Sequence, residues 1–207
     1  MRILVTAGPT REYIDPVRFI TNASSGRMGY AVAAAARRAG HEVTLLTGAT
    51  GLAAPEGVSV VAFATVEELK AAMGERFGAC DALVMAAAVG DFRAETVAGK
   101  KIPRKAGAIE VKLVPTEDVL AATVAKKQAG QRIVAFAVET GTREEMEEKA
   151  RGEMKAKGAD FVVVNTPEAM GQEQSQACIL SPEGVVLAWA SRPKDALAAE
   201  IVKRLER

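Results

Sequence analysis

The 207-residue chain is 49 % hydrophobic and 26 % charged, with a formal net charge of +1. That balance excludes a global basic field of the kind that draws nucleic acid or an anionic membrane, and the length suffices to bury a core without covalent staples. No apolar run approaches the ~20 residues of a membrane span, and MRILVTAG lacks the form of a signal peptide, so the expected compartment is the cytoplasm.

RILVTAG (2–8) reads as a buried strand, GYAVAAAARRAG (29–40) as a helix of strong formers closed by Gly40, EVTLLTG (42–48) and VSVVAFA (58–64) as further strands. TVEELKAAMGERF (65–77) is a helix with Thr65 as N-cap and Glu68 completing a capping box. A strand follows at ALVMAAAV (82–89), then a helix opened by Thr116 over 116–128, a strand at RIVAFAVE (132–139), a helix over 142–158 with acids early and bases late, and a strand at FVVVN (161–165). The strands are continuous apolar runs, as in parallel sheets covered on both faces, and they alternate with helices. The expected class is α/β, a Rossmann-like doubly wound, mostly parallel sheet in one domain. A C-terminal hairpin over 177–190 around Pro182-Glu183-Gly184 and a helix from Pro193 complete it.

Residues 90–115, GDFRAETVAGKKIPRKAGAIEVKLVP, form an unusually long connection with little to bury and with Lys100, Lys101, Arg104 and Lys105. Loops of that length are usually functional or disordered. It reads either as a solvated loop with a short strand near AIEVKLV or as a mobile lid bringing cations onto a polyanion. Cys80 and Cys178 form neither a metal-spaced pair nor a disulfide framework and read as small buried hydrophobes. His41, the only histidine, lies at a helix-to-strand turn with no relay partner in view.

Ligands of open α/β sheets bind beyond the carboxyl ends of the strands. After the first strand the glycine pattern of a dinucleotide site is missing, because Gly8 is followed by Pro9 and the next glycine is Gly26. The second strand ends Thr47-Gly48 with no acid for a ribose, which argues against a nicotinamide-dependent reductase. Ser24, Ser25 and Gly26 instead stand where backbone N–H groups and hydroxyls can meet a phosphate at a helix N-terminus; equally, a serine there can serve as a simple cap. Asn22 offers a neutral amide suited to a carboxylate, or forms a turn. Arg11 and Arg18 add cations. After the fourth strand, Ala86, Ala87, Ala88 and Gly90 leave the strand end bare for a flat ligand, and Asp91 can hold Mg²⁺ or a hydroxyl.

TAGPTREYIDPVRFITNASSGRMG, AAAVGDFRAETVAGKKI and VAFAVET together resemble phosphopantothenate–cysteine ligase, from residue 2 to about 166 and more weakly to the end. In most bacteria that ligase is the C-terminal half of a bifunctional coenzyme A biosynthesis protein, and no flavin-dependent decarboxylase half is visible here. The resemblance implies that 4′-phosphopantothenate is activated by CTP as an acyl-cytidylate, with Mg²⁺, and then joined to L-cysteine by a homodimer; the 177–190 hairpin is a candidate contact region. By the same resemblance Asn22 binds and stabilises the acyl group, Arg18 and Ala88 serve its binding or conversion, and Lys101 closes over the triphosphate. Ser24, Ser25, Gly26, Met85, Ala86, Ala87, Asp91, Glu117, Asp118, Val119, Leu120, Phe136 and Lys157 surround the nucleotide. The chain departs from the family at Pro103-Arg104, where the loop commonly reads Lys-Lys. It departs again at Glu153, which replaces a lysine that Lys149 or Lys155 could substitute, and at Thr166 and residues 170–175. A reductase and a catalytically inactive nucleotide-binding module are the alternatives.

Overall fold

Strand β1 (Arg2–Ala7) divides its side chains between two cores: Ile3, Val5 and Ala7 face one, Leu4 the other. That period-two division, with both faces apolar, is what a central strand between two helical layers requires. The computed structural model describes residues 1–206, with Ala106 described by its backbone alone.

Beside β1 run, in parallel, β4 (Glu42–Thr47) and then β5 (Ser59–Ala62) on one side. On the other side lie β6 (Ala82–Met85), β9 (Arg132–Val138) and β10 (Phe161–Asn165). Two antiparallel strands, β11 (Gln174–Ser181) and β12 (Gly184–Pro193), extend the sheet to eight. Helices α1 (Arg27–Arg38) and α5 (Lys194–Leu205) cover one face; α2 (Val66–Arg76), α3 (Val119–Val124) and α4 (Arg143–Lys157) cover the other. The chain winds outward from β1 to β5, then crosses back to β6 and winds the other way. The switch in strand order therefore falls between β1 and β6, where such sheets bind ligands.

The expected α/β class, hairpin and last helix are all present. Several local expectations are corrected. Thr65 caps α2 by accepting from Glu68 N–H, but the Glu68 carboxylate returns to Ala64 N–H at 2.7 Å, one residue earlier than a capping box places it. Thr142 and Glu145 do form a full capping box, and Gly158 ends α4 in the left-handed region. The helix after residue 115 is capped by Asp118, which accepts from Ala121 N–H at 2.9 Å. Thr116 donates its hydroxyl to Gly90 carbonyl instead. Two antiparallel ribbons were not expected as such: β2 (Arg11–Tyr13) with β3 (Phe19–Thr21), and β7 (Phe92–Ala94) with β8 (Leu113–Pro115). The second closes the base of the 90–115 segment and contains the end of the short strand foreseen there.

Helix α1 lies unusually close to β1. A Cβ on Gly29 would stand 2.5 Å from Ala7 Cβ and 2.7 Å from Thr6 carbonyl oxygen, so only glycine admits this approach. Both cysteines are buried, as expected. His41 is buried at the start of β4, with Nε2 3.0 Å from the Glu206 carboxylate, so its surroundings are structural. Among the described residues no helix is long and apolar enough to cross a membrane.

Candidate functional site

A cavity of about 680 Å³ opens at the carboxyl ends of β6, β9 and β10. Its first wall is the start of α1. Gly26 is the N-cap residue, in the left-handed region with φ 75°, and no side chain caps the helix. The simple-cap reading of Ser24 and Ser25 is thereby set aside: Ser24 Oγ accepts only the Gly26 N–H, at 3.3 Å, and lies in the loop before the helix. No acid occupies the first turn of α1. The positive end of a 12-residue helix is left without a counter-charge from its own sequence, a condition that favours an anion.

The second wall is the run after β6. Ala88 exchanges backbone hydrogen bonds with Gly8 and Thr10, and the buried hydroxyls of Thr6 and Thr10 accept from the N–H groups of Ala87 and Gly90. These bonds fix the run but occupy the Ala88 N–H. Ala88 therefore has no free N–H to offer a ligand in the cavity. Asn22 sits between the two walls and donates from Nδ2 to Val89 carbonyl at 3.0 Å.

The third wall joins α3, β9 and α4. Lys157 Nζ lies 3.3 Å from Asp118 and 3.8 Å from Glu153, both of which line the cavity with it. Glu117 also lines it but is paired with Lys70. Phe136 supplies a half-buried ring.

The cavity brings together Asn22, Ser24, Ser25, Gly26, Met85, Ala86, Ala87, Ala88, Asp91, Glu117, Asp118, Val119, Leu120, Phe136 and Lys157. Two expected residues stand apart. Arg18 does not line the cavity; its guanidinium donates to Ile102 carbonyl at 3.2 Å and pairs with Asp15. Lys101 is exposed on the 90–115 segment, outside the lining. Neither of the two lysines that could substitute at Glu153 lines the cavity. Lys149 pairs with buried Glu139 at 2.6 Å, which raises the Lys149 pKa, and Lys155 is not part of the wall.

Sequence reasoning missed Arg27, Asn165 and Lys194, all of which line the cavity. Asn165 Oδ1 is buried without a hydrogen-bond partner among the described residues. Lys194 is buried and donates to Ala169 carbonyl at 2.9 Å, Ser175 Oγ at 3.2 Å and Gln174 carbonyl at 3.4 Å, with no carboxylate partner among the described residues. Burial, followed by the nearby Arg27, pushes its pKa down. Only the topology places α5 beside the carboxyl end of β10, so no local motif marked it.

Five carboxylates and three cations line this cavity: Asp91, Glu117, Asp118, Glu139 and Glu153 against Arg27, Lys157 and Lys194. Two of these acids are paired with lysines outside the lining, Glu117 with Lys70 and Glu139 with Lys149, and residues 100–105 carry four further cations on the 90–115 segment. Among the described residues no three His, Cys, Asp or Glu side chains converge as a metal cage. The donor set fits a Mg²⁺ carried on substrate phosphates, with Asp91 as a single carboxylate at the rim.

Over residues 1–207 the chain matches the family described as DNA/pantothenate metabolism flavoprotein C-terminal domain. It is 41 % identical over 212 residues to the coenzyme A biosynthesis bifunctional protein CoaBC of Mycobacterium tuberculosis, covering 97 % of this chain and 51 % of that protein. It is 38 % identical to a cysteine/cysteine sulfinic acid decarboxylase of an unknown prokaryotic organism, covering 99 % of this chain and 57 % of that one. The chain thus spans about half the length of these curated relatives. The crystal structure of the C-terminal domain of a CoaBC protein superposes with a TM-score of 0.83 at 34 % identity, over 99 % of this chain and 93 % of that one.

Proposed function

The chain belongs to the DNA/pantothenate metabolism flavoprotein C-terminal domain family, and from that membership we propose that it is a phosphopantothenate–cysteine ligase that uses CTP. A carboxylate oxygen of 4′-phosphopantothenate attacks the α-phosphorus of CTP, and the bond to the β-phosphate breaks to release pyrophosphate. The cysteine amine then attacks the acyl carbonyl; CMP leaves, the amine gives up a proton to water, and an amide bond remains. Such chemistry needs positioning and charge neutralisation rather than a covalent nucleophile.

The observation that carries this reading is the meeting of the uncapped α1 N-terminus with the Asn22 amide at the strand-order switch. Phosphates seated on Ser24, Ser25 and Gly26 bring the α-phosphorus near a carboxylate held by Asn22. Met85, Ala86 and Ala87 border the base and ribose, Phe136 adds a ring face, and the Glu117–Leu120 turn with Lys157 closes the far side. Lys101 and its neighbours supply further positive charge from the lid. Mg²⁺, carried by the triphosphate, supplies further neutralisation when bound.

A homodimer fits the surface. Val17, Phe19, Phe92, Val97 and Leu113 are exposed on or beside the two ribbons, and β2 packs against β7. Exposed apolar patches of this kind mark association sites. They favour the ribbons as the contact region over the 177–190 hairpin, although Val185 and Val186 are exposed there too.

The test is direct. Purified protein given 4′-phosphopantothenate, L-cysteine, Mg²⁺ and CTP is expected to release pyrophosphate and CMP in equal amounts. Release with ATP alone would correct the choice of base. No pyrophosphate with either nucleotide, or carbon dioxide from cysteine in its place, would overturn the ligase reading.

A further inference from the structure

The segment that carries Lys100 and Lys101 is held by a side chain far away in sequence. Asp15 is fully buried, and its two oxygens have separate duties. Oδ1 accepts from Val17 and Arg18 N–H, each at 2.8 Å, and so closes its own turn. Oδ2 accepts from Ile102 N–H at 3.1 Å and from the Arg18 guanidinium. The same guanidinium donates to Ile102 carbonyl. Both backbone polar groups of one lid residue are thus gripped by one ion pair. A second tie, Ala98 N–H to Ile14 carbonyl at 2.9 Å, holds the lid a few residues earlier. Lys100 and Lys101 lie exposed between these two ties.

Taking the ligase reading as its basis, we propose that Asp15 is a positioning residue: with Arg18 it clasps the lid at Ile102 and so presets where Lys101 meets the triphosphate. The clasp joins the lid to the β2–β3 ribbon, whose last residue, Thr21, precedes Asn22. One ribbon therefore orients both the group assigned to the acid and the segment assigned to the polyphosphate. A lid held near its working position loses less freedom on closing, and that difference appears in nucleotide binding. Burial opposes ionisation of Asp15, but N–H donors from Val17, Ile102 and Arg18 and the Arg18 charge outweigh it and lower its pKa to about 2. The clasp is therefore intact throughout the neutral range.

Asp15→Asn separates the two duties. The amide oxygen still closes the turn, while the amide nitrogen cannot accept from Ile102 N–H and repels the Arg18 guanidinium. Trypsin cleaves after Lys101, at the bond whose N–H Asp15 holds. In full-length D15N at pH 8, cleavage there is expected to accelerate about tenfold over wild type, because cleavage follows the population of the opened segment. The thermal midpoint should fall by a few degrees, because Ile102 N–H and the Arg18 guanidinium lose their acceptor, while the protein stays folded at the assay temperature and cleavage at other sites is unchanged. The KM for CTP should rise about tenfold, while those for phosphopantothenate and cysteine stay within twofold. Arg18→Gln, which leaves the Asp15 turn in place, should raise lid cleavage as well.

Unchanged lid cleavage in both folded variants overturns the clasp. Faster cleavage with an unchanged KM for CTP, or with all three KM values raised alike, overturns its positioning role. Wild-type protein that releases no pyrophosphate sinks the ligase reading and the kinetic half with it, whereas the protease comparison still decides whether the clasp exists.

Discussion

Asn22 donates from its side-chain amide to the main-chain carbonyl of Val89, 67 residues away, across the strand-order switch. The loop before α1 and the run after β6 are thereby held at one distance. The bond is exposed, so it contributes little to stability, but it fixes which way the amide faces. In Asn22→Asp the donor becomes an acceptor opposite Val89 carbonyl and opposite any bound carboxylate. Turnover should fall by about 10²–10³, the range seen when one preorganised donor is lost from an active site. The thermal midpoint should hardly move. Pyrophosphate release measured beside a melting curve checks both, and wild-type turnover in the variant removes the role assigned to Asn22.

Glycine packing gives a prediction independent of chemistry. Gly29→Ala improves helix propensity by about 1 kcal/mol, yet its Cβ meets Ala7 Cβ and Thr6 carbonyl oxygen, neither of which can rotate away. Overpacking of this kind costs ~1–3 kcal/mol or more. The net expectation is destabilisation with a shift of α1, and weaker nucleotide binding as its N-terminus moves. Gly152, exposed within α4 with nothing within 4 Å of where a Cβ would stand, is the control. Gly152→Ala should stabilise by about 0.5–1 kcal/mol. Urea unfolding of both variants decides the matter; a stabilised Gly29→Ala would refute the close approach.

The sheet was legible because its strands are apolar on both faces, and a run such as ALVM leaves little choice of environment. The ribbons were not, since REY and FIT are too short to show a period and Pro16 interrupts the segment between them. Thr116 and Asp118 are both good caps two residues apart; which one caps α3 depended on Gly90 claiming the threonine hydroxyl. Family resemblance located many of the residues that line the cavity, because its motifs cover the entrance to α1, the run after β6 and the start of α3. It did not show that Arg18 faces the lid, which depends on a contact between Asp15 and Ile102, 87 positions apart. Lys194 was invisible for the same reason: only the fold brings it to the cavity.

Lys194 leads to a third expectation. Its ammonium is buried among neutral oxygens, and its pKa is lowered by burial and then by Arg27. A bound polyanion would relieve that strain on the charge. Lys194→Met keeps most of the volume and removes the charge, so CTP affinity should fall about tenfold, roughly the 1.4 kcal/mol that separates a tenfold change in binding. The stability change should be small: orphaning Ala169 carbonyl and Ser175 Oγ costs ~1–3 kcal/mol, against which the variant no longer buries an unpaired charge. Calorimetric titration with CTP reads the affinity. Unaltered affinity would leave Lys194 as a tie for the 169–175 segment alone.

The cysteines report on folding at high pH. Burial raises the Cys80 thiol to about 11 and the Cys178 thiol to about 12, from an ordinary 9.0. A thiol whose folded pKa lies above its unfolded one favours the fold fully below the unfolded value, and that contribution is lost as pH rises through the folded one. The window is therefore about pH 9 to 12. A thiol-specific reagent at pH 8 should label the native protein slowly and both cysteines at once after denaturation. The thermal midpoint should fall between pH 9 and 11 by more in wild type than in Cys80→Ala/Cys178→Ala, whose curve lacks this contribution although the fold as a whole still weakens in alkali. Parallel curves for the two proteins, or rapid native labelling, would show that these thiols are reached by water, contrary to their place in the core.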